Sequence, residues 1–284
     1  MADVSIIGLG RMGVAMAEAL RADGHTVTGW NRSPKSSEEL GFPVVATVAE
    51  AVAASELTVV VVLDTDGVVD LLGADDVDLT GRTIANLTTS DAKDAHTVSN
   101  LVTGKGGTYL DGIIAAYPEG IGEDDTALIY GGPESVWDEH AKTLLVLGGR
   151  SWFAGEDVGA PADLDLAVTM GFYHTALSAF FDAAIYLKGR GIGIREVARA
   201  TQDLLLVLAE TTETAVRQVE AGDFSSDQAP IEMHISASEI ARDAMRAGGR
   251  GAYLDLVISD LVKVQEKGRG HEGFSAVYDV LTSE

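Results

Sequence analysis

The first thirty residues carry the pattern that most restricts how this chain can fold. A short apolar run, Val4–Ile7, leads into Gly8-Leu-Gly-Arg-Met-Gly13, a helical segment over 14–22 and a second apolar run, Thr26–Trp30. Glycines at these three places allow a tight turn, and they leave the N-terminus of the helix free to bind a pyrophosphate. The spacing therefore predicts a strand–turn–helix–strand unit that binds a dinucleotide through Gly8, Leu9, Gly10, Arg11, Met12 and Gly13.

The residues after the second strand indicate which dinucleotide binds. NAD-binding domains usually have Asp or Glu there, to hold the ribose 2′-hydroxyl. This chain has Asn31-Arg-Ser-Pro-Lys35 instead, and Arg32 can pair with a 2′-phosphate while its neighbours add donors. A solvated basic turn is the alternative, although the chain has 44 acidic and only 20 basic residues. We predict NADPH as the cofactor, bound here by Asn31, Arg32, Ser33 and Lys35.

Strand and helix patterns continue to alternate as far as about residue 160. The run Leu57–Val62 is apolar without alternation, which is typical of a parallel strand that is buried on both faces. We predict an α/β fold in which residues 1–162 form a Rossmann domain with one doubly wound sheet. Its other strands are expected at 44–46, 83–86, 108–111, 127–130 and 151–153, and its other helices at 48–54, 68–72, 91–101 and 134–147.

Loops that follow the carboxyl ends of these strands should contact the cofactor. One such loop begins after the run Leu57–Val62, and another follows the strand over 83–86. The hydroxyls over 88–90 suit two roles, capping of the next helix or contact with the nicotinamide ribose, and the sequence leaves both open. We predict further cofactor contacts from Leu63, Asp64, Thr65, Val68, Asn86 and Thr88.

A long, mostly apolar helix is predicted over 163–188, and it begins a second, all-helical domain, residues 163–284. Pro161 suits the first turn of this helix, because a first helical residue needs no N–H donor. Asp165 and Tyr173 would lie about 80° apart around an α-helix and roughly 12 Å apart along it, so they can line one groove. Structural roles, as a helix-end acceptor and a core tyrosine, remain open for both.

The rest of the second domain is expected to contain helices over 195–221, 231–247, 253–267 and 274–281. The run Leu204–Leu208 is apolar at every position, and so few helices leave it without cover. A second copy of the chain can supply that cover. We therefore predict a domain-swapped homodimer, in which the long helix crosses to the partner and each active site uses both chains.

Composition excludes several classes of function. The formal net charge of −24 disfavours nucleic acid as a partner. Zero cysteines exclude disulfides, thiol catalysis and thiolate metal sites, and no His, Asp and Glu set has the spacing of a metal site. No apolar run is long enough to cross a membrane, and no signal peptide is recognised, so the expected location is the cytoplasm.

Several motifs along the chain resemble one known family. GLGRMG, NRSPK, LDTDGVV, NLTT, YLDG, the segment AYPEGIG over 116–122 and the closing GRGHEGF occur in the order found in the β-hydroxyacid dehydrogenase superfamily. Within it the chain most resembles the NADPH-dependent imine reductases. The hydroxyacid enzymes have a lysine where Asp165 stands here, and a carboxylate-binding Ser-Gly-Gly turn where this chain has Ile113-Ile-Ala-Ala116. Both differences favour the imine reductases.

The resemblance implies a site and a reaction, the reduction of a small-molecule imine to a chiral amine. Imine reductases have Asp or Asn at the position of Asp165 and Tyr or Asp at that of Tyr173, which makes these two the catalytic candidates. In this family Tyr at the second position goes with (S)-amines. Lys35 lies nearer the Asn-Arg pair than the family's basic residue does. The candidate walls of the substrate site are Tyr117, Phe172, Phe180, Met233 and His234.

Two other functions remain open at this point. A carbonyl reductase related to the β-hydroxyacid dehydrogenases would oxidise NADPH with aldehydes or keto acids alone. A non-catalytic NADPH-binding dimer would bind the cofactor without turnover on any C=N substrate.

Overall fold

A computed structural model describes residues 3–226 and 228–283 of the 284-residue chain. The chain divides into two compact units, Met1–Phe172 and Tyr173–Glu284. The predicted α/β fold, with a Rossmann domain followed by a helical part, is confirmed. The domain boundary at residue 162 stays a prediction.

The first unit contains a sheet of seven strands: β1 (Asp3–Ile7), β2 (Thr26–Trp30), β3 (Leu57–Val60), β4 (Thr83–Asn86), β5 (Thr108–Ile114), β6 (Leu128–Gly131) and β7 (Trp152–Phe153). Their order in the sheet is β2-β1-β3-β4-β5-β6-β7. Neighbouring strands are parallel except β5 and β6, which are antiparallel. The carboxyl ends of β1 to β5 therefore meet at one edge, where doubly wound sheets bind their ligands.

Helices cover both faces of this sheet, as the alternating pattern predicted. One apolar core packs Met16 and Leu20 of the first helix against the sheet, and the other packs Leu72 and Val98 against its opposite face. The helices of the first unit are α1 (Arg11–Ala22), α2 (Ser37–Leu40), α3 (Val48–Ala53), α4 (Thr65–Gly73), α5 (Ala92–Gly104), α6 (Glu134–Leu144) and α7 (Ala160–Leu164), with 3₁₀ turns at Pro118–Gly120 and Leu145–Leu147.

The strand predicted at 44–46 does not form. Val44 makes a single bridge to Gly29, and its N–H donates to the Oγ of Ser37 at 2.8 Å. The preceding residue, Pro43, has no N–H to extend a ladder. The prediction is therefore wrong, because proline and a side-chain acceptor remove two of the donors that a strand would need.

The predicted strand 57–62 ends two residues early, at Val60. The N–H of Val61 still donates to the carbonyl of Ile7 at 2.9 Å, but the N–H of Val62 donates to the Oγ1 of Thr88 at 3.1 Å. A side chain thus replaces the next strand as the acceptor. The chain leaves the sheet here and becomes part of a cavity wall.

The helix predicted over 163–188 begins earlier and is not α-helical throughout. It starts with α7 at Ala160, continues as a π-helix over Asp165–Tyr173 and ends as α8 (His174–Lys188). A π-helix has i→i+5 hydrogen bonds, is rare, and is frequent at functional sites. The prediction of one α-helix is therefore wrong in the stretch that holds both catalytic candidates, and the 80° separation does not apply.

The second unit is helical, as predicted. Its apolar core packs Phe224, Ile231, Leu261, Val264 and Ala276 together. Outside that core many large apolar side chains are exposed, and Leu206 is 71% exposed. The helices that follow α8 are α9 (Ile194–Ala221), α10 (Ile231–Arg246), α11 (Tyr253–Glu266) and α12 (Ala276–Thr282).

Among the described residues, no helix is both long and apolar enough to cross a membrane.

Candidate active site

The glycine turn, residues 8–13, closes the carboxyl end of β1 against α1. Gly8 has a φ of +105°, and a Cβ added there would lie 2.1 Å from the carbonyl oxygen of Val61. A Cβ at Gly13 would lie 1.9 Å from the carbonyl oxygen of Gly8, whereas one at Gly10 would meet nothing within 4 Å. Gly10 caps α1 without a side chain, so the first N–H groups of this helix are available to a pyrophosphate. The turn fits the diphosphate of a dinucleotide.

Asn31 joins the glycine turn to the basic turn, residues 31–35. Its Oδ1 accepts a hydrogen bond from the N–H of Leu9 at 2.9 Å, and its Nδ2 donates to the carbonyl of Ser33 at 2.8 Å. Arg32, Ser33 and Lys35 are exposed, as a phosphate-binding group must be. Asn31 therefore holds two backbone segments in place with its side chain, a role that the sequence did not indicate.

Arg11 of the glycine turn lies on the surface. Its Nη2 donates to the Oε1 of Glu119 at 2.7 Å, and both side chains are exposed. Exposed pairs of this kind contribute little to stability. Arg11 can therefore exchange Glu119 for another anion at small cost.

The four residues after β3 that were predicted to contact the cofactor differ from one another in burial and in local role. Leu63 is 84% exposed at the sheet edge, and Asp64 caps α4 by accepting a hydrogen bond from the N–H of Gly67 at 2.9 Å. Thr65 is the first residue of α4, and Val68 is fully buried in the core beneath it. Leu63 thus offers an apolar surface to a ligand, whereas Asp64 also stabilises the helix.

A cavity of about 240 Å³ opens where the ends of several strands meet. We call it the strand-end cavity. It lies within the first unit, most of the side chains that line it are apolar, and Asp165 and Thr89 provide its polar side chains. It is lined by Met12, Val61, Val62, Leu87, Thr89, Gly112, Ile113, Ile114 and Asp165.

Asp165 is the notable residue of the strand-end cavity. It is only 7% exposed, and among the described residues its carboxylate has no hydrogen-bond or ion-pair partner. Because Asp165 lines the cavity, its carboxylate is suited to attract a cationic group that is bound there.

Of the predicted residues, the structure brings Met12 and Asp165 together in this cavity. Thr89 and the apolar lining were not among the predicted site residues. A signal for them was available, because Val61, Val62, Leu87 and Thr89 follow the ends of β3 and β4, and residues 112–114 are the last three of β5, at the same edge of the sheet. Ile113 and Ile114 stand where the resemblance places a carboxylate-binding turn, so the lining is apolar there.

The remaining candidate walls belong to separate parts of the chain. Tyr117 and Phe172 are exposed residues of the first unit. In the second unit, the ring of Tyr173 lies 5.6 Å from that of His174, and the ring of His234 meets that of Phe274 edge to face at 5.2 Å. The ring of Phe180 lies 5.3 Å from that of its neighbour Phe181. Met233 is 57% exposed.

A buried polar network lies beneath the strand-end cavity. The hydroxyl of Tyr109 donates to the Oδ1 of Asp111 at 2.6 Å, and the Nδ2 of Asn86 donates to the hydroxyl of Tyr109 at 3.1 Å. Burial raises the pKa of Asp111 to about 7, although hydrogen bonds from Tyr109 and Asn86 act in the opposite direction. The Oδ2 of Asp111 has no partner in the described structure.

Thr88 does not cap the helix that follows it, which was one of its two predicted roles. Helix α5 is capped by Asp91, which accepts a hydrogen bond from the N–H of Asp94 at 2.8 Å. Thr88 is buried and accepts from the N–H of Val62. The capping alternative is therefore wrong, and contact with the nicotinamide ribose stays a prediction.

Among the described residues, no three His, Asp or Glu side chains are grouped so as to hold a metal ion.

The fold and the glycine turn together define a dinucleotide-binding protein. Residues 3–155 match the family of the NAD binding domain of 6-phosphogluconate dehydrogenase, and residues 157–283 match the C-terminal domain of NADPH-dependent reductive aminase-like proteins. The chain belongs to this reductive aminase and imine reductase family, as the motifs indicated.

Known relatives are similar over nearly the whole chain. The NADPH-dependent reductive aminase of Aspergillus oryzae is 28% identical over 280 residues, which are 95% of this chain and 93% of the relative. An imine reductase structure from Pseudomonas sp. has a TM-score of 0.88 at 29% identity, with 99% of each chain covered. The reductive aminase of Aspergillus terreus, in complex with NADPH and ethyl levulinate, has a TM-score of 0.85 at 30% identity, again with 99% of each chain covered.

Proposed function

We propose that the protein reduces imines and iminium ions to amines with NADPH. The observation that carries the proposal is Asp165, a largely buried carboxylate residue that lines a cavity beside the glycine turn and is the one charged side chain of its lining. An iminium ion is a cation on an otherwise apolar molecule, and this cavity offers one negative group among mainly apolar side chains. NADPH, when bound, supplies the hydride.

Asp165 is proposed to stabilise the positive charge of the iminium form. A carboxylate in a low-dielectric cavity attracts a cation more strongly than one in water. Its charge also favours protonation of a neutral imine, which makes the carbon a better hydride acceptor. Apolar side chains of the lining, including those of Ile113 and Ile114, lower the local polarity and so strengthen this attraction.

Tyr173 is proposed as the proton donor to the substrate nitrogen. A tyrosine hydroxyl is a proton donor and can act as a general acid. Reduction of a neutral imine needs one hydride at carbon and one proton at nitrogen. The hydroxyl of Tyr173 can donate this proton and recover it from solvent.

The basic turn is proposed to select NADPH over NADH. Arg32 is exposed, and the turn has no carboxylate to hold a ribose 2′-hydroxyl. Ser33 and Lys35 are exposed in the same turn and can add donors to a 2′-phosphate. The turn therefore favours NADPH in two ways: it offers donors to the 2′-phosphate, and it offers no carboxylate to the ribose 2′-hydroxyl of NADH.

A homodimer is proposed to complete the site. The second unit exposes Leu204, Leu206, Ile240 and Leu256, each by 65% or more of its surface. Exposed apolar side chains in such number mark an interaction surface. We propose that the two chains exchange the long helix, and that Met233 and His234 lie against the partner's cofactor. A cytoplasmic location is also part of the proposal.

A substrate panel tests the proposed activity. Purified protein with NADPH should consume the cofactor in the presence of small cyclic imines, and chiral chromatography should find an excess of the (S)-amine. Glyoxylate, small aldehydes and keto acids without an amine are the controls. Faster oxidation of NADPH with those carbonyl compounds alone would overturn the proposal, and so would NADPH binding without turnover on any C=N substrate.

A further inference from the structure

Asn86 and Asp111 form a buried polar link between two walls of the strand-end cavity. They are direct partners in the register of β4 and β5. Leu87 and Thr89 lie one and three residues after Asn86, and residues 112–114 directly follow Asp111; all of these residues line the cavity. The positions of the wall residues therefore depend on two side chains that lie one to three residues before them.

The link runs through Tyr109 and extends to a third wall. Tyr109 connects Asn86 to Asp111 with hydrogen bonds of 3.1 and 2.6 Å. On its other side, the Oδ1 of Asn86 accepts from the N–H of Thr88 at 3.3 Å, and the Oγ1 of Thr88 accepts from the N–H of Val62. One chain of hydrogen bonds thus passes from Asp111 to the place where the chain leaves β3.

Folding alone does not account for a buried polar acceptor at this position. Asp111 is 1% exposed, and its Oδ2 is buried without a partner. A buried ionisable group with an unsatisfied atom destabilises a fold, and apolar residues of similar size usually serve stability better. An unsatisfied group of this kind in a native structure calls for an explanation beyond packing.

We propose that Asp111 is a positioning residue, which acts through Tyr109 and Asn86 to hold the cavity walls in the geometry that receives the nicotinamide end of the cofactor. The inference rests on the proposed NADPH-dependent function. It assigns no contact with substrate to Asp111. The acid sets the orientation of the Tyr109 hydroxyl, which in turn fixes the amide of Asn86 and the loop after it.

The sheet contains a matched control for this network. Tyr130 on β6 is also fully buried, but its hydroxyl has no hydrogen-bond partner in the described structure. Tyr109→Phe and Tyr130→Phe therefore remove the same atom from two buried tyrosines of one sheet. The first substitution breaks the network, and the second breaks no hydrogen bond.

The test compares these two variants by thermal unfolding, by the fluorescence of bound NADPH and by steady-state kinetics with a cyclic imine. In Tyr109→Phe, kcat should fall by about tenfold, the scale of one buried hydrogen bond, while the KM for NADPH changes by less than about threefold. The nicotinamide emission of the bound cofactor should shift toward that of free NADPH. In Tyr130→Phe, kcat, KM and emission should match the wild type.

Two substitutions of Asp111 complete the test. Asp111→Asn keeps an acceptor for the Tyr109 hydroxyl and should retain kcat within about threefold, whereas Asp111→Ala should match Tyr109→Phe. Wild-type kcat and emission in a folded Tyr109→Phe protein would overturn the inference, and so would equal losses in the two tyrosine variants. If the wild type reduces no imine, the proposed activity fails, but the emission of bound NADPH in the two variants still decides the role of the network.

Discussion

The side-chain oxygen of Asn31 accepts a 2.9 Å hydrogen bond from the backbone N–H of Leu9. Leu9 is the second residue of the glycine turn, and Asn31 is the first residue of the basic turn. One side chain therefore sets the position of the segment proposed to bind the pyrophosphate relative to the segment proposed to bind the ribose phosphate. Substitutions can therefore distinguish an effect on the glycine turn, which both cofactors would share, from an effect on the 2′-phosphate, which only NADPH has.

Asn31→Ala should weaken both cofactors equally. The variant loses the hydrogen bond from Leu9 that holds the glycine turn and the one to the carbonyl of Ser33, each worth about 1 kcal/mol, so KM for NADPH and for NADH should each rise at least roughly fivefold. Parallel titrations with the two cofactors measure the effect. A loss confined to NADPH would mean that Asn31 acts on the 2′-phosphate rather than on the turn.

Arg32→Ala should weaken NADPH specifically. The loss of a charge-assisted contact with the 2′-phosphate costs on the order of 1.5–3 kcal/mol, which corresponds to at least about a tenfold rise in the KM for NADPH. KM for NADH should barely change. Lys35→Ala is the matched control in the same turn, with a smaller expected effect. Equal effects of Arg32→Ala on the two cofactors would remove Arg32 from the phosphate site.

Tyr173→Phe and Asp165→Asn should respond in opposite ways to the charge of the substrate. Removal of the Tyr173 hydroxyl should lower kcat by roughly 10²-fold for neutral imines if it donates the proton, and by about tenfold if it only orients the substrate. The loss should shrink for N-alkyl iminium ions, which need no proton. Asp165→Asn should instead impair the charged substrates most. Unchanged rates in both folded variants would leave the two residues with structural roles only.

The wild type should be a dimer in solution, with a mass by light scattering of about twice 29.7 kDa. Leu206→Glu places a charge on an exposed apolar position of α9 and should shift the protein toward the monomer, with loss of activity. Gln202→Glu adds the same charge at an exposed polar position of the same helix and is the control. A fully active monomer at micromolar concentration would contradict the proposed assembly.

Stability should depend on pH through Asp111. Burial raises the pKa of this carboxyl from 3.8 in a model peptide to about 7. Between these two values the unfolded chain loses the proton and the folded protein keeps it, so the stabilising contribution of the neutral acid declines as the pH rises and is gone above about pH 7. The folded protein then carries a buried charge.

Asp111→Asn removes this dependence. The free energy of unfolding of the variant, relative to the wild type, should therefore increase between about pH 4.5 and pH 8, by on the order of a few kcal/mol. Urea unfolding at the two pH values measures it, and the effects of the other carboxylates cancel because both proteins share them. The same difference at both pH values would show that Asp111 ionises normally.

The sequence carried most of the information about fold and cofactor because these depend on local patterns. The glycine spacing, the apolar runs and the basic turn are each read within a few neighbouring residues. The strands at 26–30 and 83–86 have the predicted bounds, and the Gly8 turn has the positive φ that only glycine adopts easily. The missing strand at 44–46 shows the limit of such patterns. The side chain of Ser37, which lies outside the run, accepts the hydrogen bond of the Val44 N–H that a strand would have used.

What only the tertiary structure decided is the strand-end cavity and the groups beneath it. Its lining comes from segments as far apart in sequence as Met12 and Asp165, and the network joins Asn86 to Asp111 across two strands. The π-helical form of Asp165–Tyr173 was equally hidden, because the apolar pattern that predicted a helix did not specify its hydrogen-bond spacing. Local sequence sets which backbone elements form, whereas hydrogen bonds between distant segments depend on how those elements pack, and no short-range pattern records that packing.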